Sequence, residues 1–284
     1  MFSSYSSALG TGNSVKIFET SKIDSTTEEE HTRKYIKRLQ LLDEKTPMDL
    51  NYNNKVRPFI DSYVGRNKEL ISRMHALKEL YFPLFEKELD KYQLPLELKY
   101  LAIVESALNP KAKSFSGATG LWQFMYSTGK QYGLNRDWYI DERRDPIKST
   151  HAACGYLKDL NEQFDNWYLA LAAYNCGAGR VSRASKLHQT YDFWQMHSLP
   201  RETRNYIPYF LSAAIIARNP EAYGFKIPKN VEPFQYETIT LEKSADIAVL
   251  ARVAGLKPDV LRTYNPELRK PEIRHREKQK NPDR

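Results

Sequence analysis

Apolar residues recur at helical spacing from about residue 54 to residue 220, and the flanking stretches lose that rhythm. "NNKVRPFIDSYVGRNKELISRMHALKELYFPLFEKELDKYQLP" carries it, with Pro58, Pro83 and Pro95 marking helix starts or kinks. In "DERRDPIKSTHAACGYLKDLNEQF", Asp145 is placed to cap a helix that has Pro146 at its first position and runs to about Phe164. "NWYLALAAYNCGAGRVSRA" predicts an Ala- and Leu-rich helix stopped by Gly177 and Gly179, with Tyr174 and Asn175 at its C-terminal end. "LPRETRNYIPYFLSAAIIARNP" predicts another helix, ended at Pro220. Beyond Gly224, "FKIPKNVEPFQYETITL" is Pro-rich and then alternating, a linker leading into a strand. "KSADIAVLARVAGLKPDVLRTYNPEL" follows with two short helical patterns around a Gly-Leu-Lys-Pro turn. Residues 1 to about 50, rich in Ser, Thr, Glu and Lys, read as a poorly ordered lead.

One charge interrupts an apolar stripe. In "YLAIVESALNP", helical counting puts Glu105 on the side of Leu98, Leu101, Ala102 and Leu108, with Asn109-Pro110 closing the helix. A carboxylate there is either a structural anchor that accepts backbone N–H bonds or a group with a chemical task. Ser106 follows it, and "SFSGATGLWQFMYSTGKQYGL" then predicts a Gly-punctuated loop exposing Trp122 and Gln123. An acid in partly apolar surroundings stays protonated and can donate to a glycosidic oxygen. Trp122 and Tyr174 would offer flat faces to a sugar, and Gln123 and Asn175 amide hydrogen bonds. Trp122 also reads as a core plug and Gln123 as a loop-stabilising amide. A second carboxylate of the kind ordinary glycosidases use is not evident. Asp141, Glu142 and Asp145 are candidates, but with Arg143 and Arg144 among them they read as a solvated charge cluster.

Composition narrows the classes. The 284 residues carry a net charge of +8, which favours an anionic partner such as nucleic acid, anionic lipid or an acidic polysaccharide wall. Aromatics gathered near a buried acid, not in a basic stripe, argue against nucleic acid. No apolar run approaches the roughly 20 residues that span a bilayer, and the first 30 residues show no secretory signal. Cys154 and Cys176 read as small packing residues, and the scattered histidines give no metal motif, so neither metal nor cofactor is expected.

Taken in order, "VESALNP", "SGATGLWQF", "ALAAYNCGAGRV" and "LPRETRNYIPYFL" resemble the lytic transglycosylases that cleave bacterial peptidoglycan, specifically the membrane-bound D type, over about residues 80 to 220. The resemblance implies a mainly α chain with a lysozyme-like helical catalytic domain. It implies Glu105 as catalytic acid, Ser106 beside it, Gln123 in the Gly-Leu-x-Gln loop, Tyr174 and Asn175 lining the sugar site with Trp122, and Tyr206 near the cleft. It further implies a one-carboxylate route to a 1,6-anhydro product, Tyr174 holding the substrate acetamido group or Glu105 itself. "FQYETITLEKSADIAVLARVAGLKPDVLRTYNPEL" is similar to a LysM glycan-binding module, small and α+β; a purely structural appendage fits it equally. The expected organisation is a lead over 1–50, the transglycosylase domain with a helical extension over 51–225, the LysM-like module over 226–268 and a basic tail over 269–284. Peptidoglycan glycan strands are the implied partner, with no nucleic acid, for a monomer in the periplasm or cell envelope. A lysozyme-type hydrolase and an inactive glycan-binding scaffold are the alternatives.

Overall fold

The computed structural model describes Met48 and residues 54–65, 68–225, 241 and 243–273. The expected lead, apart from a buried Met48, the strand before Leu241 and the tail beyond Ile273 lie outside the described residues.

The fold is mainly helical. The first helices are α1 (Arg57–Gly65), α2 (Lys68–Lys91) and the short α3 (Leu101–Ser106), which follows a 3-10 turn over Leu96–Tyr100. Then come α4 (Tyr126–Gln131), α5 (Pro146–Phe164), α6 (Trp167–Cys176), α7 (Ala178–His188) and α8 (Arg201–Arg218). Pro58 stands at the start of α1, whereas Pro83 lies inside α2. Tyr81, Phe82, Phe85 and Leu89 on either side of Pro83 are buried in the common core, so packing carries the helix through the lost backbone donor.

α6 is the central element. Tyr168 through Ala173 are all buried, as expected of a helix apolar all round, and its alanines let α5, α7 and α8 approach closely. Its ends are written locally: the Asn166 side chain accepts from the Leu169 N–H, and Gly177, at φ 91°, turns the chain directly into α7. Gly179 therefore lies within α7 and is not a second stop. At α5, the Asp145 carboxylate accepts from the Ile147 and Lys148 N–H groups with Pro146 in the first turn, as the sequence predicts.

α3 ends earlier than Asn109-Pro110. Ala107 and Leu108 adopt left-handed backbone at φ 51° and 60°, and the Leu108 N–H returns to the Ala102 carbonyl. Burial of Leu108 against the core holds this otherwise disfavoured turn.

At the C-terminal end, β1 (Ala245–Asp246) pairs antiparallel with β2 (Glu272–Ile273) around α9 (Ile247–Val253) and α10 (Pro258–Tyr264). Ile247 and Ala251 supply the small buried face of this unit. β2 falls past residue 268, where the sequence reading ends the module.

Candidate active site

Glu105 sits in the last turn of α3, half-buried, facing α8. The Tyr206 hydroxyl, on α8, donates a hydrogen bond to Glu105 Oε1. Burial pushes the Glu105 carboxyl up to about 7; the Tyr206 hydrogen bond opposes that push and the negative charge of Glu202 adds to it. Tyr206 is itself held well above its ordinary pKa by burial and by the neighbouring Glu105 charge, so it stays a protonated donor. An acid with a pKa near neutrality and a fixed orientation is equipped both to give a proton and to take one back.

The loop after α3 is tied to this acid from two sides. Ser106 Oγ lies 2.9 Å from the Leu121 carbonyl and 3.0 Å from that of Ala102, so the residue beside the acid anchors the loop. The Tyr174 hydroxyl, from α6, donates to the Trp122 carbonyl at 2.7 Å. Within the loop, Gln123 takes left-handed backbone at φ 49°, and its Nε2 reaches the carbonyls of Gly120 at 3.0 Å and Ala112 at 3.3 Å. Gly120 has no alternative: at φ 91°, a Cβ there would lie 1.8 Å from the Arg143 carbonyl oxygen.

Two expectations are corrected. Trp122 is not exposed by the loop; it is 0% accessible, packs 4.9 Å from Phe85 and donates its indole N–H to Thr150 Oγ1 at 2.9 Å. Its ring is a core plug with no face to offer a sugar, and only its carbonyl serves the site. Of the two roles expected of Tyr174, holding the substrate acetamido group or holding Glu105, the second falls to Tyr206, because the Tyr174 proton is committed to Trp122. Asn175, next to Tyr174, accepts from Thr203 Oγ1 at 2.7 Å, which ties the end of α6 to α8.

The "DERRDP" cluster is not solvated either. Asp141, Glu142 and Arg143 are buried. Arg143 grips Asp141 with Nε and Nη2 at 2.9 and 2.7 Å, and its Nη1 caps the carbonyls of Gly117 and Phe124, both at 3.0 Å. Glu142 accepts from Lys148 and from both the backbone and side chain of Asn135. Burial pushes both carboxyls up, but these partners outweigh it and hold both below the ordinary range. The brace on the Gln123 loop is thus a buried Arg143, which charge patterning alone could not separate from a surface cluster. Among the described residues, no group of His, Cys, Asp and Glu is arranged to hold a metal ion, and Cys154 and Cys176 are free thiols.

Residues 83–197 match the transglycosylase SLT domain family, and this stretch holds Glu105, the loop and α6 together. The chain carries a transglycosylase SLT domain. It is 36% identical over 223 residues to the membrane-bound lytic murein transglycosylase D of Escherichia coli K12, an alignment covering 77% of this chain and 49% of that relative. A putative tributyltin chloride resistance protein from Alteromonas is 39% identical over 110 residues, covering 38% of this chain and 53% of the relative. The chain spans about half the length of these curated relatives. Among solved structures, the 70 kDa soluble lytic transglycosylase of Escherichia coli is 30% identical over 50% of this chain and 24% of that one, with a TM-score of 0.43. Tyr206 lies past the end of the matched SLT domain, on the helix that closes over Glu105.

Proposed function

We propose that this chain is a peptidoglycan lytic transglycosylase, cleaving the β-1,4 bond between N-acetylmuramic acid and N-acetylglucosamine without water to leave 1,6-anhydro ends. The observation that carries the reading is Glu105: one half-buried carboxyl, raised to about 7 and oriented by a neutral tyrosine. In the proposed reaction the Glu105 proton passes to the glycosidic oxygen as the C1–O bond breaks. The resulting carboxylate then takes the proton of the sugar's own 6-hydroxyl, whose oxygen bonds to C1. Glu105 ends protonated, ready for another turn.

Two features support the one-carboxylate route. Asp141, Glu142 and Asp145 are committed to Arg143, to Lys148 and Asn135, and to the α5 cap, so none is placed as a second nucleophile or base. The SLT domain match and the similarity to named lytic transglycosylases point the same way. The sugar contacts proposed are Gln123 and Asn175 for polar groups and Tyr174 for an apolar face, with Ser106 and Tyr206 orienting loop and acid. The proposed place of work is the cell envelope; among the described residues no helix is long and apolar enough to cross a membrane. A glycan-binding role for the C-terminal unit as a LysM-like module belongs to the same proposal.

Mass spectrometry of soluble products from purified peptidoglycan, with the wild-type chain and Glu105→Gln in parallel, tests the reading. Anhydro-muropeptides from the wild type alone are expected. Reducing-end products would make the chain a hydrolase, and no products from either would overturn the enzyme.

A further inference from the structure

The C-terminal unit does not hang free of the helical domain. Leu268 pairs with Ile140 in an antiparallel bridge, the Asp141 N–H donates to the Glu267 carbonyl at 2.9 Å, and the Arg269 N–H donates to the Tyr139 carbonyl at 2.7 Å. The Arg269 guanidinium adds a bond to the Asp137 carbonyl, and the Lys270 ammonium lies 4.2 Å from the centre of the Trp138 ring. The receiving segment is a turn folded on itself, with the Asp137 carboxylate accepting from the Tyr139 and Ile140 N–H groups.

What that segment does next ties the seam to the chemistry. Asp141, whose backbone is bound by Glu267, is the residue whose side chain grips Arg143. Arg143 caps the carbonyls at both ends of the Gly117–Phe124 turn, and its own carbonyl is the surface on which Gly120 rests. The turn's other anchors are Ser106, beside Glu105, and Tyr174. Each step is a hydrogen bond or a backbone contact within buried or half-buried surroundings.

We propose that the 267–270 edge of the C-terminal unit is a brace for the Gln123 loop, acting through Asp141 and Arg143. The residues of the edge are positioning residues, not catalytic ones. The brace rests on the reading of the loop as part of the sugar site, but its mechanical half stands without any substrate. Coupling along this chain of contacts is read out as a change in loop protection when the edge is broken.

Hydrogen–deuterium exchange of the full chain, wild type against Arg269→Pro, provides that measure. The proline removes the N–H given to Tyr139 together with the guanidinium. Faster exchange is expected at Asp141 and Glu142, and with it at Thr119, Gly120 and Phe124, whose N–H groups close the loop. The loop amides should exchange about threefold to tenfold faster. The Michaelis constant for peptidoglycan strands should rise about as much, whereas a simple loss of folded protein would lower turnover and leave it unchanged. An unchanged loop beside a loosened 137–142 segment would overturn the brace, and so would a segment that does not loosen. If the proline also unfolds α9 and α10, the same two sets of amides still decide. Arg143→Lys, in turn, should loosen the loop and leave the Asp141 and Arg269 amides protected; loosening at the seam instead would overturn the order of the links. Failure of the wild type to act on peptidoglycan would remove the proposed function but leave the exchange result readable.

Discussion

Among the described residues, two sets of carboxylates drawn out of water behave oppositely. Glu105 meets a neutral hydroxyl and the like charge of Glu202, so burial dominates and its carboxyl rises to about 7. Asp141 and Glu142 are buried as well, yet they meet a guanidinium fork and an ammonium and are held below the ordinary range. Burial therefore does not decide whether an acid can hold a proton near neutrality; the charge of its partner does. The first arrangement suits chemistry. The second suits construction, because a bidentate ion pair fixes a geometry that the loop above it inherits.

Substitutions at the two sites should break this contrast in different ways. The largest effect should come from Glu105→Gln, which keeps the shape and loses the proton: turnover should fall on the order of a thousandfold, within the general acid–base range. Its melting temperature should stay near that of the wild type, because a neutral amide costs less to bury than a carboxylate. Arg143→Ala should act on stability instead. It would leave the buried Asp141 carboxylate with only the part-exposed Arg136 guanidinium at 3.6 Å, at a cost of about 3 kcal/mol in denaturant unfolding, the low end for a broken buried pair. Gly120→Ala strikes the same brace from the other side. Its Cβ has no room before the Arg143 carbonyl, and a loss of about 2 kcal/mol with displaced loop amides is expected by thermal unfolding and exchange.

The smallest and most discriminating pair alters only the pH profile. The proposed first step needs Glu105 protonated, so activity should decline as pH rises through about 7. The Tyr206 hydrogen bond favours the ionised form, so Tyr206→Phe should raise the Glu105 pKa and move that alkaline limb to higher pH. Glu202 disfavours the ionised form, so Glu202→Gln should move the limb to lower pH. Shifts of the same sign in both variants would contradict this electrostatic account. Rates of peptidoglycan release measured across pH give all three curves.

The contrast also explains what the sequence could and could not reveal. Glu105 was legible because a charge breaking a helical stripe is a local signal, as were the Asp145 cap, the α6 run and the end of α8. The hydrogen bond that Tyr206 gives Glu105 was not: only the family resemblance put Tyr206 near the cleft, and across 101 residues nothing in either segment encodes the contact itself. Trp122 misled because glycines around it imply an open loop, while Phe85 and Thr150, far off in the chain, supply the packing that buries it. "DERRDP" misled for the same reason. A run of mixed charge looks solvated until its hydrogen-bonding partners, Gly117, Phe124 and Asn135, are known.

The central claim is that Glu105 is an acid poised near neutrality by its surroundings, and its own titration tests that directly. Carboxyl infrared difference spectra of the wild type against Glu105→Gln, recorded from acid to mildly alkaline pH, isolate the one group. A protonated carboxyl band that disappears with a midpoint near 7 is the predicted result. A midpoint close to the ordinary glutamate value of about 4.3 would contradict it, leaving Glu105 ionised at neutral pH and without a proton to give.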